Sequence, residues 1–325
     1  MLTEPCAAML WRRVAHPQTI KLFATEIMDW PQIGGDVPGI LSCLYDADTV
    51  MLGFGCQAEG MTPEVCSREN LRRVEEAMNP ASELEVVPSD FDGAVGNVCR
   101  AFGLQWDNVV GSILRNQESR RLSFFDPTGN LTTLVQPNEE ALAGQVGREL
   151  GDQLARRGIA QSGNRHPDHP AIIVGVTHIV SDFQRSLRFY RSIVGLRPLR
   201  LTTREAKFDV GPLILTVRQE SEVGLVAAVR RQNAFRDSLI FLVEDMASEV
   251  RSLQTQGIDF PQGIECSSTA GQMGFFFDPD GHRLILWQPP DGPTSDMPVN
   301  YFPVLERILA DEGVSKPLSR SEVVR

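Results

Sequence analysis

The chain has 325 residues, 42% of them hydrophobic and 22% charged, which is enough for two domains with a core each. Its 31 basic and 42 acidic residues leave a net charge of −11, which argues against a nucleic-acid backbone or an anionic membrane as partner. No 18 apolar residues run together, the N-terminal arginines follow the short apolar patch, and the six cysteines form no Cys-x-x-Cys pair; a cytoplasmic protein with reduced thiols is expected.

The spacing of Ile20, Phe23, Ile27 and Trp30 predicts a short helix ended by Pro31 and Gly34-Gly35. Residues 40–45 and 49–54 flank Asp46-Ala47-Asp48 as a hairpin. Residues 71–78 read as a peripheral helix, 84–87 as a strand, and Phe91, Val95, Val98 and Phe102 as a helix face, followed by a strand at 109–114 and a hairpin around Asp126. From 138 to about 160, Leu142, Val146, Leu150 and Leu154 keep helical spacing; residues 162–170 hold too many breakers to continue it.

A second set follows in the same order. It comprises a strand at 172–180, a helix face of Phe183, Leu187, Tyr190 and Val194, and strands at 199–203, 207–210, 213–218 and 239–243. A helix face of Met246, Val250 and Leu253 and a hairpin at 274–289 complete it, and a last helix is expected at 301–309.

The two sets are one design used twice. Asp278-Pro279-Asp280-Gly281 sits between apolar runs, as Asp126-Pro127-Thr128-Gly129 does 152 residues earlier. The predicted class is α+β, with two tandem domains of paired βαβββ modules, each an open cupped sheet with helices outside. The expected boundaries are 1–137 for the first unit, 138–170 for a helical connector and loop, 171–290 for the second unit and 291–325 for a tail. A ligand would sit in the concavity that a module's own helix does not cover.

The stretch from Val176 to Leu196 together with Asp278 to Gln288 resembles the vicinal-oxygen-chelate superfamily of glyoxalases, bleomycin-resistance proteins and extradiol dioxygenases. That resemblance implies metal ligands at the first strands of paired modules and on the strand after the Asp-Pro-x-Gly turn. Here those positions fall on Gly175 or His178, on Ser238 and on Ile285, and in the first unit near Ala8 or Met9, near Ser82 and at Thr133. Such a set does not supply the three or four N/O donors a divalent ion needs, so neither metal nor other cofactor is expected. His166 and His169, in the connector, read as surface loop.

Strand alternation sends Arg283, Ile285 and Trp287 toward the concavity with Ser238, Ile240, Leu242, Ile214, Thr216 and Arg218. The expected cup is largely apolar and suits a planar or polycyclic small-molecule ligand bearing an anionic or carbonyl oxygen, stacked on Trp287 and held by Arg218 or Arg283. As an enzyme, the protein would isomerise, cyclise or eliminate, with His178 and Ser238 as catalytic groups; His178 faces the helix unless its strand is shortened or bulged. The alternatives are a binding protein of the resistance type and a metal-dependent dioxygenase or lyase whose ligands lie elsewhere. A monomer or homodimer is expected.

Overall fold

The computed structural model describes residues 2, 5–13, 23–34, 42–55, 82–103, 113–115, 119–125, 131–138, 148–156, 171–219, 237–293 and 300–312. The expected helix at 71–78 and the pair His166 and His169 lie outside them, as does the tip of the Asp126 hairpin. Four modules follow one another. The first holds β1 (Cys6–Arg13), a π-helical turn (Phe23–Ile27), β2 (Gln32–Gly34), β3 (Ser42–Asp46) and β4 (Met51–Gly55). The second holds β5 (Ser82–Val87), α1 (Phe91–Phe102), β6 (Leu114–Arg115), β7 (Ser119–Phe125) and β8 (Leu131–Pro137). After α2 (Arg148–Arg156), the third holds β9 (Ile172–Val180), α3 (Phe183–Arg188) with its π-helical continuation (Phe189–Val194), β10 (Pro198–Leu201), β11 (Glu205–Asp209) and β12 (Ile214–Gln219). The fourth holds β13 (Asp237–Leu242), α4 (Met246–Thr255), β14 (Ile264–Ser267), β15 (Gly271–Phe277) and β16 (Arg283–Gln288), and α5 (Phe302–Asp311) follows.

Local chemistry explains the boundaries. Asp182 and Asp245 sit in extended conformation before α3 and α4, and their carboxylates accept from the Arg185 and Ser248 amides, both at 3.0 Å. The tight turn before β16 ends on Gly281 at φ 89°, where a Cβ would be strained. Strands β2 and β14 are edge strands without the apolar run or alternation that marks the others, and sequence reading passed over them.

The strands form two eight-stranded sheets, ordered β14-β15-β16-β13-β1-β4-β3-β2 and β10-β11-β12-β9-β5-β8-β7-β6. This corrects the expected pairing of consecutive modules: the first module pairs with the fourth, and the second with the third. Side-chain complementarity accounts for it. The cup face of the outer pair carries an apolar row across five strands, Phe275, Ile285, Ile240, Met9 and Met51. The inner pair carries polar rows instead, one of them Lys207, Thr216, Thr177 and Glu83.

The opposite, helix-bearing faces of both sheets contribute to one continuous apolar core, which includes Leu10, Phe54, Val95, Val176, Tyr190, Phe241 and Phe276. Modules one and three are stitched by Ala7 N–H to Val210 O at 2.8 Å, Trp30 Nε1 to Ala171 O at 2.6 Å and Thr49 Oγ1 to Ile173 O at 2.6 Å. No helix among the described residues is long and apolar enough to cross a membrane.

Candidate functional site

The two cups differ in what fills them. In the outer sheet α5 lies over the cup face: Phe302, Leu305, Ile308 and Leu309 pack on Met9, Met51, Ile240, Leu242, Ile285 and Trp287. Arg307 fastens it, its guanidinium bonding to Asp46 Oδ1 at 2.6 Å and Asp48 Oδ1 at 2.9 Å. Trp287 has Tyr301 at 5.4 Å between ring centroids and gives its indole N–H to Ala270 O at 2.7 Å. The residues expected to hold a ligand there, Ile240, Ile285 and Trp287, are therefore core residues under the chain's own helix. The helix expected at 301–309 is thus present, and its place over a cup is visible only in the fold.

In the inner sheet α2 covers only one end, with Leu150 and Leu154 over Val87, Val135, Ile172 and Val174. Beyond it the face is polar. Glu83 and Glu85 project from β5, because alternation turns Leu84 and Val86 into the core. Arg121 of β7 forms a close ion pair with Glu85 and stands 3.8 Å from Glu83, and Arg218 of β12 stands 3.5 Å from Glu83 Oε2. Thr133 Oγ1 donates to Glu83 Oε1 at 2.5 Å, so at 2.7 Å it must accept from the exposed Ser123. Burial alone would raise the Glu85 carboxyl, but Arg121, Lys207 and Arg218 overcome it and hold the pKa below the usual value. Beyond its ion pair with Glu83, the Arg218 guanidinium makes no hydrogen bond to a described residue, and its side chain is 39% exposed on the cup face.

His178 and Ser238 do not meet in a cup. Ser238 faces the outer cup, where its Oγ accepts from Arg283 Nε at 2.9 Å, and Arg283 also lies over the Phe275 ring. His178 faces the helix-bearing core, as its place in the alternation implies, and is fully buried. The Tyr190 hydroxyl donates to Asp278 Oδ2 at 2.9 Å and so accepts from His178 Nδ1 at 2.9 Å; the proton is on Nδ1, and Nε2 has no partner among the described residues. Burial, reinforced by His282 alongside, pulls His178 down to about 3, so the ring is neutral. Burial would raise Asp278, yet His282 and His178 bring it down to about 2, and its oxygens accept from the Asp280 and His282 amides, Tyr190 and His282 Nδ1.

A second buried group joins the sheets nearby. Arg12 pairs with Asp237 through two bonds, 2.6 and 2.8 Å, while Ser82 of the inner sheet donates to the same carboxylate at 2.6 Å. Ser82, named as a ligand position, thus belongs to the core, and its neighbour Glu83 takes the cup. Counting seven back from the helix-capping Asp182 and Asp245 gives Gly175 and Ser238; the same count from Asp90 gives Glu83, a signal that sequence reading passed over.

Neither group fits the metal of the superfamily the sequence resembles. In the inner cup the carboxylates of Glu83 and Glu85 face two guanidinium groups, and the neighbouring positions are Gly175, Thr133, Thr177 and Thr216. The space beside Gly175 is taken: a Cβ there would stand 3.1 Å from Glu85 Oε2. His178, Asp278 and His282 lie close enough to suggest a cation, but their rings are parallel within 2° at 4.1 Å, and an ion cannot lie in both ring planes. The Asp278 oxygens are already engaged.

Comparison with known proteins agrees with this architecture. Residues 172–286 match the family described as the Glyoxalase/Bleomycin resistance protein/Dioxygenase superfamily. A glyoxalase I point mutant from Zea mays superposes with a TM-score of 0.55 at 12% identity, covering 87% of this chain and 92% of its own. A Bacillus subtilis protein, a proposed dioxygenase, superposes with a TM-score of 0.52 at 11% identity, covering 96% and 97%. Likeness at such identity speaks to the fold alone. The family match thus covers the third and fourth modules, and the fold is shared with these structures over nearly the whole chain.

Proposed function

We propose that the cup of the second and third modules binds a small organic molecule carrying an anionic or carbonyl oxygen, without a divalent metal. The observation that carries this reading is Arg218, whose side chain is 39% exposed on the cup face and whose guanidinium has, among the described residues, only the 3.5 Å ion pair with Glu83, beside polar groups that are already paired. A guanidinium fork is the protein's usual device for a carboxylate or enolate oxygen. The apolar surface beside it is Ile179 and Ile214, so a flat ligand edge suits the cup better than the polycyclic body expected from Trp287.

The test uses benzoate, salicylate and 2-naphthoate in thermal-shift and calorimetric titrations, with and without EDTA. At least one should raise the melting temperature equally in both conditions and lose its effect in Arg218→Ala. Binding abolished by chelator and restored by one metal, or binding indifferent to Arg218→Ala, would sink the reading.

A further inference from the structure

We propose that Glu83 is a general base, and that the inner cup removes a proton from a carbon acid whose resulting oxyanion is taken by Arg218. This rests on the ligand-cup reading above. Two carboxylates stand two residues apart on β5, and the fold treats them differently. Glu85 is clamped by Arg121 and kept ionised by three cations, which leaves it no part in proton transfer. Among the described residues, Glu83 has looser ionic neighbours, at 3.5 and 3.8 Å. The Thr133 hydroxyl bonds Oε1 and fixes the plane of the carboxylate, which turns Oε2 toward Arg218.

A proton acceptor and an oxyanion-stabilising group thus lie 3.5 Å apart on one face, the arrangement required to ionise a C–H next to a carbonyl. The C–H bond breaks, the proton goes to Glu83 Oε2, and the electron pair moves through carbon onto the carbonyl oxygen beside the guanidinium. Returning the proton to a different carbon completes an isomerisation with atoms and charge balanced. Arg218 supplies the positive charge that a metal would supply elsewhere. The Thr133 and Ser123 hydroxyls, reversed in direction, connect Glu83 with solvent.

The probe is 5-nitrobenzisoxazole. Loss of its C3 proton to a base forms a nitrile, breaks the N–O bond and leaves that electron pair on a phenolate oxygen. The wild-type chain should accelerate this opening. Glu83→Gln should slow it by about 100-fold or more, the usual worth of a positioned base, and Glu83→Asp should keep part of the rate. The product, 2-cyano-4-nitrophenolate, should bind wild type and Glu83→Gln alike and bind Arg218→Ala poorly, with circular dichroism melts confirming folded variants. If the phenolate binds as expected but Glu83→Gln opens the probe as fast as wild type, the base is wrong and the cup stands. If the phenolate does not bind wild type, the cup reading falls and the base with it.

Discussion

His178 lies flat against His282, ring centroids 4.1 Å apart and planes within 2°, in a fully buried site between a strand of the inner sheet and a turn of the outer one. Stacked imidazoles cannot both carry charge cheaply, which fixes the direction of the pH response. His178 titrates at about 3 in the fold, whereas an unfolded His titrates near about 6.5. Between those values the unfolded chain binds more protons, so stability is lost as pH falls through that window. Asp278, at about 2 against an unfolded value of about 3.9, adds a loss of the same sign below about pH 4. The melting temperature should therefore fall steadily from pH 6.5 to 4, and His178→Phe should flatten that slope.

Arg12 and Asp237 pair across β1 and β13 while touching Ser82 and Thr132 of the other sheet. Asp237→Ala takes from the buried Arg12 guanidinium the carboxylate that accepts two of its hydrogen bonds and should cost about 3–5 kcal/mol by urea denaturation. The double variant Arg12→Met, Asp237→Ala should cost less than the sum of its parts, because both charges of the pair are then removed together.

The helix over the outer cup gives a ranking. Leu305→Ala empties a fully buried position and should cost about 2–5 kcal/mol. Arg307→Ala removes ion pairs at a side chain 35% exposed and should cost about 1 kcal/mol or less. An inverted order, measured by denaturant midpoints, would mean that the ion pairs and not the apolar face hold the helix down.

Gly175 leaves space that Glu85 uses. In Gly175→Ala the added Cβ meets Glu85 Oε2 and the Ile214 carbonyl at 3.1 Å, so the carboxylate must move within the cup. Stability should drop by about 1–3 kcal/mol, and binding of an aromatic carboxylate should weaken as Glu85 turns toward Arg218. Titration of the variant beside wild type checks it.

The modules were legible because each announces itself locally. Phe91, Val95 and Val98 share one apolar helix face, and Asp278-Pro279 opens a turn whatever lies around it. Partnership was not legible in the same way. Whether Met9 meets Ile240 or another strand depends on contacts hundreds of residues apart, and nothing near Met9 specifies the answer. The site residues divided along that line. Alternation puts Arg218 and Thr216 on the cup face of one sheet and Trp287 and Ile285 on that of the other, and only the fold shows that these are two cups, the second of them filled. Glu83 was missed by one position, the step that turns a side chain from cup to core.

The nested order has a consequence for how the protein is made. Arg12 leaves the ribosome 225 residues before Asp237, its partner across the outer sheet, so β1 must wait with one edge unpaired while the two inner modules close between them. The inner sheet can form during synthesis; the outer one is a late event of high contact order. A chain truncated before the fourth module would expose the apolar row of β1 and β4, and its fate would be to aggregate or to borrow the missing strands from another copy.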